Sequence, residues 1–155
     1  MNQPINEFQG DYRWLSNFFI GEPLRVLGMT FMTSEHMYQA LKTTDPVEVK
    51  AVLSCQSPGE AKRLGKTLTL RPDWDSVKDR AMELCVGHKF AANPKLTEKL
   101  LATGSTFLLE GNTWHDNYWG ACSCNNCTSV DWHNKLGYTL MRYRDNASRW
   151  LTIDI

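Results

Sequence analysis

Apolar and polar residues run along this chain in short bursts, each closed by a turn signal or a helix cap. Residues 24–31, LRVLGMTF, mix apolar and β-branched side chains around Gly28, which predicts a hairpin or a bulged strand. Thr33 or Ser34 can cap the segment that follows, and the spacing predicts a helix over about 35–42 with Met37, Tyr38, Ala40 and Leu41 in its apolar set. The next two helices share one start signature. Asp45-Pro46-Val47-Glu48 and Ser57-Pro58-Gly59-Glu60 each supply an N-cap, a proline at the first helical position and an acid at the third. They predict helices over 46–53 and 58–64, the second stopping at Gly65 as its C′ residue. Asp73 caps a longer helix over 74–91, whose apolar face reads Val77, Ala81, Leu84 with Cys85, and His88. Asn93-Pro94 ends it and opens a helix over 94–102, closed near Gly104. Residues 106–109, TFLL, are a strand candidate. Residues 136–143 have helical spacing with Leu136, Leu140 and Met141 inward, and the final WLTIDI reads as an edge strand or a packed tail. The sum is an α+β fold: a compact, mainly helical single domain over 1–155 with a few short strands.

Composition narrows this picture. A chain of 155 residues can bury a real core without staples. Acids and bases balance at 17 each, which gives no support to non-specific binding of long nucleic acid, an affinity that comes from neutralised phosphates. A local positive pocket for one or two phosphates remains compatible with neutrality. No run approaches the length of a membrane span, and the start MNQPINEFQGDYRW lacks a secretory pattern. Five cysteines, an odd count with three between Cys122 and Cys127, point to free thiols and a cytoplasmic location rather than a disulfide framework. Six tryptophans, several beside polar residues in predicted loops, fit a pocket that stacks a ring.

Five clusters carry candidate chemistry. The run FMTSEHMYQALKTT, residues 31–44, puts Glu35, His36 and Lys42 on one apolar helix. Glu35 and Lys42 are seven residues apart, about 10 Å along a helix axis, a span suited to gripping two ends of a ligand, with Gln39 between them. A carboxylate in a first turn is also simply favoured by the helix dipole. For His36 the structural reading, a hydrogen bond to the adjoining loop, is preferred. In Arg13-Trp14-Leu15-Ser16-Asn17-Phe18-Phe19, Asn17 can address a base or ribose while Phe18 packs; a loop pinned by its rings explains it equally. In Arg71-Pro72-Asp73-Trp74-Asp75, Arg71 can meet a phosphate and Trp74 a ring, while Asp73 is a cap. In Trp114-His115-Asp116-Asn117-Tyr118-Trp119-Gly120, Asp116 either titrates high if buried or holds the loop through backbone amides. Trp119-Gly120 reads as a ring over a tight turn. Cys122-Ser123-Cys124-Asn125-Asn126-Cys127 invites zinc with His115 or His133 as fourth ligand, but only Cys124–Cys127 has the usual spacing, so ordinary loop thiols are the default and no metal is expected.

Six segments together resemble the NADAR family, also called YbiA-like: WLSNFF (14–19), FMTSEHMYQALK (31–42), SPGEAKRLGK (57–66), RPDWDSVKDRAMELCVGHKFAANPKLTEKLLATG (71–104), DNYWG (116–120) and NKLGYTLMRYR (134–144). They occur in the family order and cover most of the chain. The resemblance implies a mainly helical α+β fold and an N-glycosidase, with no cofactor. It implies removal of ADP-ribose from ADP-ribosylated guanine in DNA or a related nucleotide adduct. The alternatives it leaves are hydrolysis of ribosylamino-pyrimidine phosphate intermediates of riboflavin synthesis, and a non-catalytic ADP-ribose-binding module. By resemblance Glu35 is the catalytic carboxylate, with Lys42, Asp116 and Trp119 at recurrent pocket positions and Trp74 and Asn17 in its walls. Arg13, Phe18, Gln39, Arg71 and Gly120 complete the expected substrate-binding set. The chain departs from the family's short glycine-rich loop in ACSCNNCTSVDWH, between Gly120 and Asn134, next to the expected pocket.

Overall fold

The computed structural model describes the backbone of residues 2–153 and the side chains of residues 2–147. The fold is α+β and mainly helical, with four short strands among the described residues. Its contacts gather into two compact units, one from residues 1–16 and 95–155, the other from Asn17–Pro94.

The Asn17–Pro94 unit begins with the predicted hairpin. Strands β1 (Leu24–Val26) and β2 (Met29–Phe31) pair antiparallel, with Leu24 opposite Phe31. Leu27 and Gly28 form the two-residue turn, both at positive φ (50° and 79°), as a turn twisted to match its strands requires. Helices α1 (Ser34–Ala40), α2 (Pro46–Leu53) and α3 (Pro58–Gly65) follow. The start signatures act as read: Asp45 Oδ1 accepts from Val47 N at 2.8 Å, and Ser57 Oγ accepts from Glu60 N at 3.1 Å. Glu60 in turn accepts from Gln56 N at 2.9 Å. The last helix of the unit is α4 (Trp74–Ala92). Helix α1 packs on α2, α3 and α4, so it lies at the centre of the unit, and every residue of α1 is buried.

Three sequence expectations for this unit change. Gly65 ends α3 from inside the helix, with Lys66 as C-cap, and Gly65 is needed for close approach: a Cβ built there would overlap Gln39 Oε1. Asp73 stands at the N-cap of α4 but makes no capping hydrogen bond, because Arg71 claims its carboxylate at 2.6 and 3.0 Å. The buried face of α4 is Ala81, Met82, Cys85, Val86, Lys89 and Phe90, while Leu84 is exposed and His88 half-buried. That stripe is rotated by about one residue from the expected one, because α1 and β1 both press on it.

In the other unit, a 3-10 turn at Gly10–Leu15 buries Trp14 and Leu15. Helix α5 (Pro94–Ala102) buries Leu96 and Leu100 and is followed by Gly104 at φ 59°. TFLL contributes only a single bridge, Leu108 to Ile5, rather than a strand. The strands proper are β3 (Gly111–Asn112) and β4 (Ala121–Cys122), paired parallel. Helix α6 (Lys135–Ile153) runs well beyond the expected 136–143 and takes in the first four residues of the expected WLTIDI strand or tail; its last two lie outside the described residues. Asn134, fully buried at φ 47°, precedes α6 and ties it down by accepting from Glu110 N at 3.0 Å and donating to Leu108 O at 2.9 Å. No described helix is long and apolar enough to cross a membrane.

Candidate active site

The start of α1 is fastened on both sides. Thr33 is the N-cap, its Oγ1 accepting from His36 N at 3.2 Å. The His36 ring, fully buried, lies 2.7 Å from Thr33 Oγ1 through Nδ1 and 3.0 Å from Cys55 O through Nε2. A carbonyl accepts only from N–H, so Nε2 carries the proton and Nδ1 accepts from the Thr33 hydroxyl. Burial lowers the pKa of the ring, against a weaker opposing pull from the Cys55 carbonyl. His36 is therefore a neutral structural residue, as the sequence indicates. Asn17 holds the opposite side: its carbonyl accepts from Glu35 N at 3.2 Å, its side-chain oxygen accepts from Ser34 Oγ at 2.9 Å, and its amide donates to Met82 Sδ at 3.2 Å. The expected ribose-reading amide is thus spent inside the protein, aiming the residue that follows Ser34.

That residue is Glu35, only 7 % exposed. A buried carboxylate is costly unless it is hydrogen-bonded, and Gln39 supplies a bond, Nε2 to Glu35 Oε1 at 2.7 Å, one turn along α1. The other end of that amide, Gln39 Oε1, is a buried acceptor without a hydrogen-bond partner among the described residues. Lys42 lies in the turn after α1, its N–H bonded to Gln39 O at 3.1 Å, and its Nζ sits 5.4 Å from the Tyr38 ring centroid. Burial is the main influence lowering its pKa; the Glu35 carboxylate opposes this, and Lys62 and Lys66 add to it. Lys42 therefore feels one carboxylate, Glu35, and two further ammonium groups, Lys62 and Lys66. Lys62 on α3 and Lys66, its C-cap, are absent from the sequence-based set. Their i,i+4 spacing was the available signal, but only the packing of α3 on α1 shows which lysines they join.

Other expected residues of this unit are placed differently. Phe18 is half-buried beneath Lys62, whose Nζ is 5.6 Å from its ring centroid. Trp74 is buried against Tyr38, centroids 5.4 Å apart and planes tilted by 56°, so that contact takes up ring surface expected to stack on a ligand. Arg71 is engaged with Asp73 rather than held open for a phosphate.

In the other unit, Arg13 is exposed on the Gly10–Leu15 turn. Asp116 follows the second of its two readings: Oδ1 accepts from Tyr118 N at 3.1 Å and Trp119 N at 2.9 Å, which shapes the loop. Trp119 meets Tyr118 edge-on at 4.9 Å, and a Cβ on Gly120 would overlap Glu110 O, so only glycine fits there. The three loop cysteines converge on His115. His133, the other possible partner, instead faces the Tyr118 ring at 6.3 Å.

The NADAR domain model matches residues 5–147, nearly the whole chain. The chain belongs to the NADAR family. Among NADAR relatives it is 36% identical over 140 residues to N-glycosidase YbiA of Escherichia coli (strain K12), covering 89% of this chain and 83% of that protein. It is 34% identical over 151 residues to riboflavin biosynthesis protein VVA0006 of Vibrio vulnificus (strain YJ016), covering 94% of this chain but 39% of that longer protein. The solved NMR structure of the Escherichia coli protein YbiA superposes with a TM-score of 0.83 at 33% identity, over 98% of this chain and 89% of the other. The mainly helical α+β fold expected for a NADAR protein is the fold observed.

Proposed function

We propose that this protein is an N-glycosidase that hydrolyses the ribosyl C1′–N bond of a phosphorylated N-riboside. The observation that carries the reading is Glu35: a buried carboxylate, oriented by Gln39, whose charge is felt by Lys42, the lysine that Lys62 and Lys66 also influence. Breaking a C1′–N bond builds positive charge on C1′ and the ring oxygen. A fixed carboxylate stabilises that charge and can take a proton from the attacking water. The three lysines suit a phosphate, and Lys42, its pKa lowered by burial, also suits a proton relay to the leaving nitrogen.

The names of the relatives, an N-glycosidase and a riboflavin biosynthesis protein, favour a ribosylamino-pyrimidine phosphate as substrate. ADP-ribosylated guanine in DNA is the other substrate the same chemistry serves, since reading one modified base requires only a local contact. The test is paired incubation with both substrates, products followed by mass spectrometry, and Glu35→Gln as control. Ribose 5-phosphate from the small substrate makes the protein a metabolic N-glycosidase; ADP-ribose with restored guanine makes it a DNA-restoring hydrolase. Near-normal kcat in a folded E35Q variant, or saturable ADP-ribose binding without bond cleavage on either substrate, overturns the proposal.

A further inference from the structure

The loop from His115 to Cys127 gathers four potential metal-ligand atoms: His115 Nδ1 and the Sγ atoms of Cys122, Cys124 and Cys127, all within 4.8 Å of one another. Nδ1 lies 3.2 Å from Cys124 Sγ and 3.5 Å from Cys127 Sγ. Ligands around a tetrahedral zinc ion, with Zn–S of about 2.3 Å and Zn–N of about 2.0 Å, stand about 3.5–3.8 Å from one another. The cluster already has that size. It is not a disulfide, since all three cysteines are free.

The surrounding chain is arranged for thiolates. Cys122 Sγ accepts from the backbone N–H of His115 at 3.3 Å and of Cys124 at 3.4 Å. Cys127 Sγ accepts from Asn117 Nδ2 at 3.4 Å, while Asn117 Oδ1 accepts from Cys122 N at 2.8 Å. N–H donors of this kind orient metal-bound ligands and spread their charge. His115 is held at φ 68°, a left-handed conformation that costs a non-glycine residue about 1 kcal/mol or more. A side chain is kept in such a backbone when something fixes it there.

We propose that His115, Cys122, Cys124 and Cys127 form a structural zinc site. Three thiols and an imidazole are the donor set that soft-to-borderline Zn2+ selects over Mg2+ or Ca2+. Four protein ligands close the tetrahedron and leave no position for water, which makes the site structural rather than catalytic. Binding converts the three thiols to thiolates and releases their protons to solvent. Cys122 and Cys127 are buried, Cys124 is half-buried and His115 exposed. An adjoining cleft of about 590 Å³, lined by Cys122, Cys127 and Trp132 among others, gives the ion a way in. The metal would staple the segment bearing Asp116, Tyr118 and Trp119 to the Cys122–Cys127 arm, across two strands only two residues long.

The test is metal analysis of the full chain, purified reduced and reconstituted with zinc, together with the visible spectrum after cobalt(II) replacement. The expected result is one zinc per chain and the intense ligand-field and thiolate charge-transfer bands of tetrahedral cobalt. Cys124→Ser and Cys127→Ser should each weaken metal binding at least about 100-fold, whereas His133→Ala and Cys55→Ser should leave it unchanged. Absence of zinc above trace from the reduced, reconstituted wild-type protein overturns the proposal, as does a cobalt adduct without thiolate bands. The wild-type spectra decide the matter even if a serine variant fails to fold.

Discussion

Lys89 shows how one residue sets a pH dependence. Its side chain is buried, with Nζ 5.4 Å from the Phe90 ring centroid and 5.8 Å from that of Phe19, and burial pulls its pKa down to about 7. Below pH 7 the folded protein must hold a buried ammonium. Between about 7 and the unfolded value of 10.5 the unfolded chain binds the extra proton, so this group makes stability rise with pH across that window. His36 acts in the same direction at lower pH, because its folded pKa is also depressed. Lys89→Met should therefore raise the thermal midpoint, by about 2–4 °C for each kcal/mol of relieved desolvation. Melts across pH 6 to 9 check it: the gain over wild type should be largest at pH 6 and shrink toward pH 9. A gain that does not vary with pH would mean that packing, not charge, is being altered.

At the scale of elements, two turns of chain carry opposite lessons about glycine. In the hairpin, Leu27 occupies a left-handed position although it is 93% exposed and packs on nothing that would compensate. Leu27→Asn should stabilise the protein by about 1 kcal/mol, seen as a higher denaturant midpoint with unchanged slope. On α3, Gly65 is needed for a different reason, the close approach of Gln39. Gly65→Ala gains up to about 1 kcal/mol in helix propensity, and the obstructing group is the end of a flexible side chain, so the fold should survive, but the lost hydrogen bond to the buried Glu35 carboxylate leaves a net destabilisation of about 1 kcal/mol. Gln39 must swing away, however, and with it the hydrogen bond that orients Glu35. A displacement of about 1 Å at a reacting group can cost up to about 100-fold in rate. The expected outcome is a tenfold or greater fall in kcat in a folded variant whose thermal midpoint drops by only about 2–4 °C, measured on whichever substrate the paired incubations identify.

For the molecule as a whole, the division into two compact units makes the consequence of metal removal local. The four proposed ligands lie in the unit built from residues 1–16 and 95–155, whereas Glu35, Gln39 and the three lysines lie in Asn17–Pro94. Chelation should speed amide exchange first in residues 111–134, where the strands are short and the zinc would be the staple, and leave the exchange of α1 and α3 little changed. Hydrogen–deuterium exchange with and without chelator measures this. Uniform deprotection of both units would show that the loop is not a separate cooperative element. The neutral net charge also bears on the whole molecule: binding to unmodified duplex DNA should be weak at physiological salt, since 17 acids balance the 17 bases that could neutralise phosphates.

Local signals were legible without the structure wherever the physics is local. The caps at Asp45 and Ser57, the prolines after them, the hairpin at Gly28 and the breaks at Asn93-Pro94 and Gly104 each depend on residues within a turn of one another, and each element stands where those signals place it. The mainly helical α+β class and the family resemblance follow from the same text. Glu35 stood out because a carboxylate on so apolar a helix is unusual. What the sequence alone left undecided are quantities set by distant neighbours. Which face of α4 is buried depends on α1 and β1; the roles of Asn17, Trp74 and Arg71 depend on Ser34 with Met82, on Tyr38 and on Asp73, which take up bonding groups or ring surface that sequence reading left for a ligand. Lys62 and Lys66 join Lys42 only because α3 packs on α1 with a glycine at the contact. His115 rather than His133 meets the thiols because a left-handed residue and parallel pairing of two-residue strands fold the loop back on itself. Spacing along a chain determines which elements form; distances through space, which only packing sets, decide which side chains remain to do chemistry.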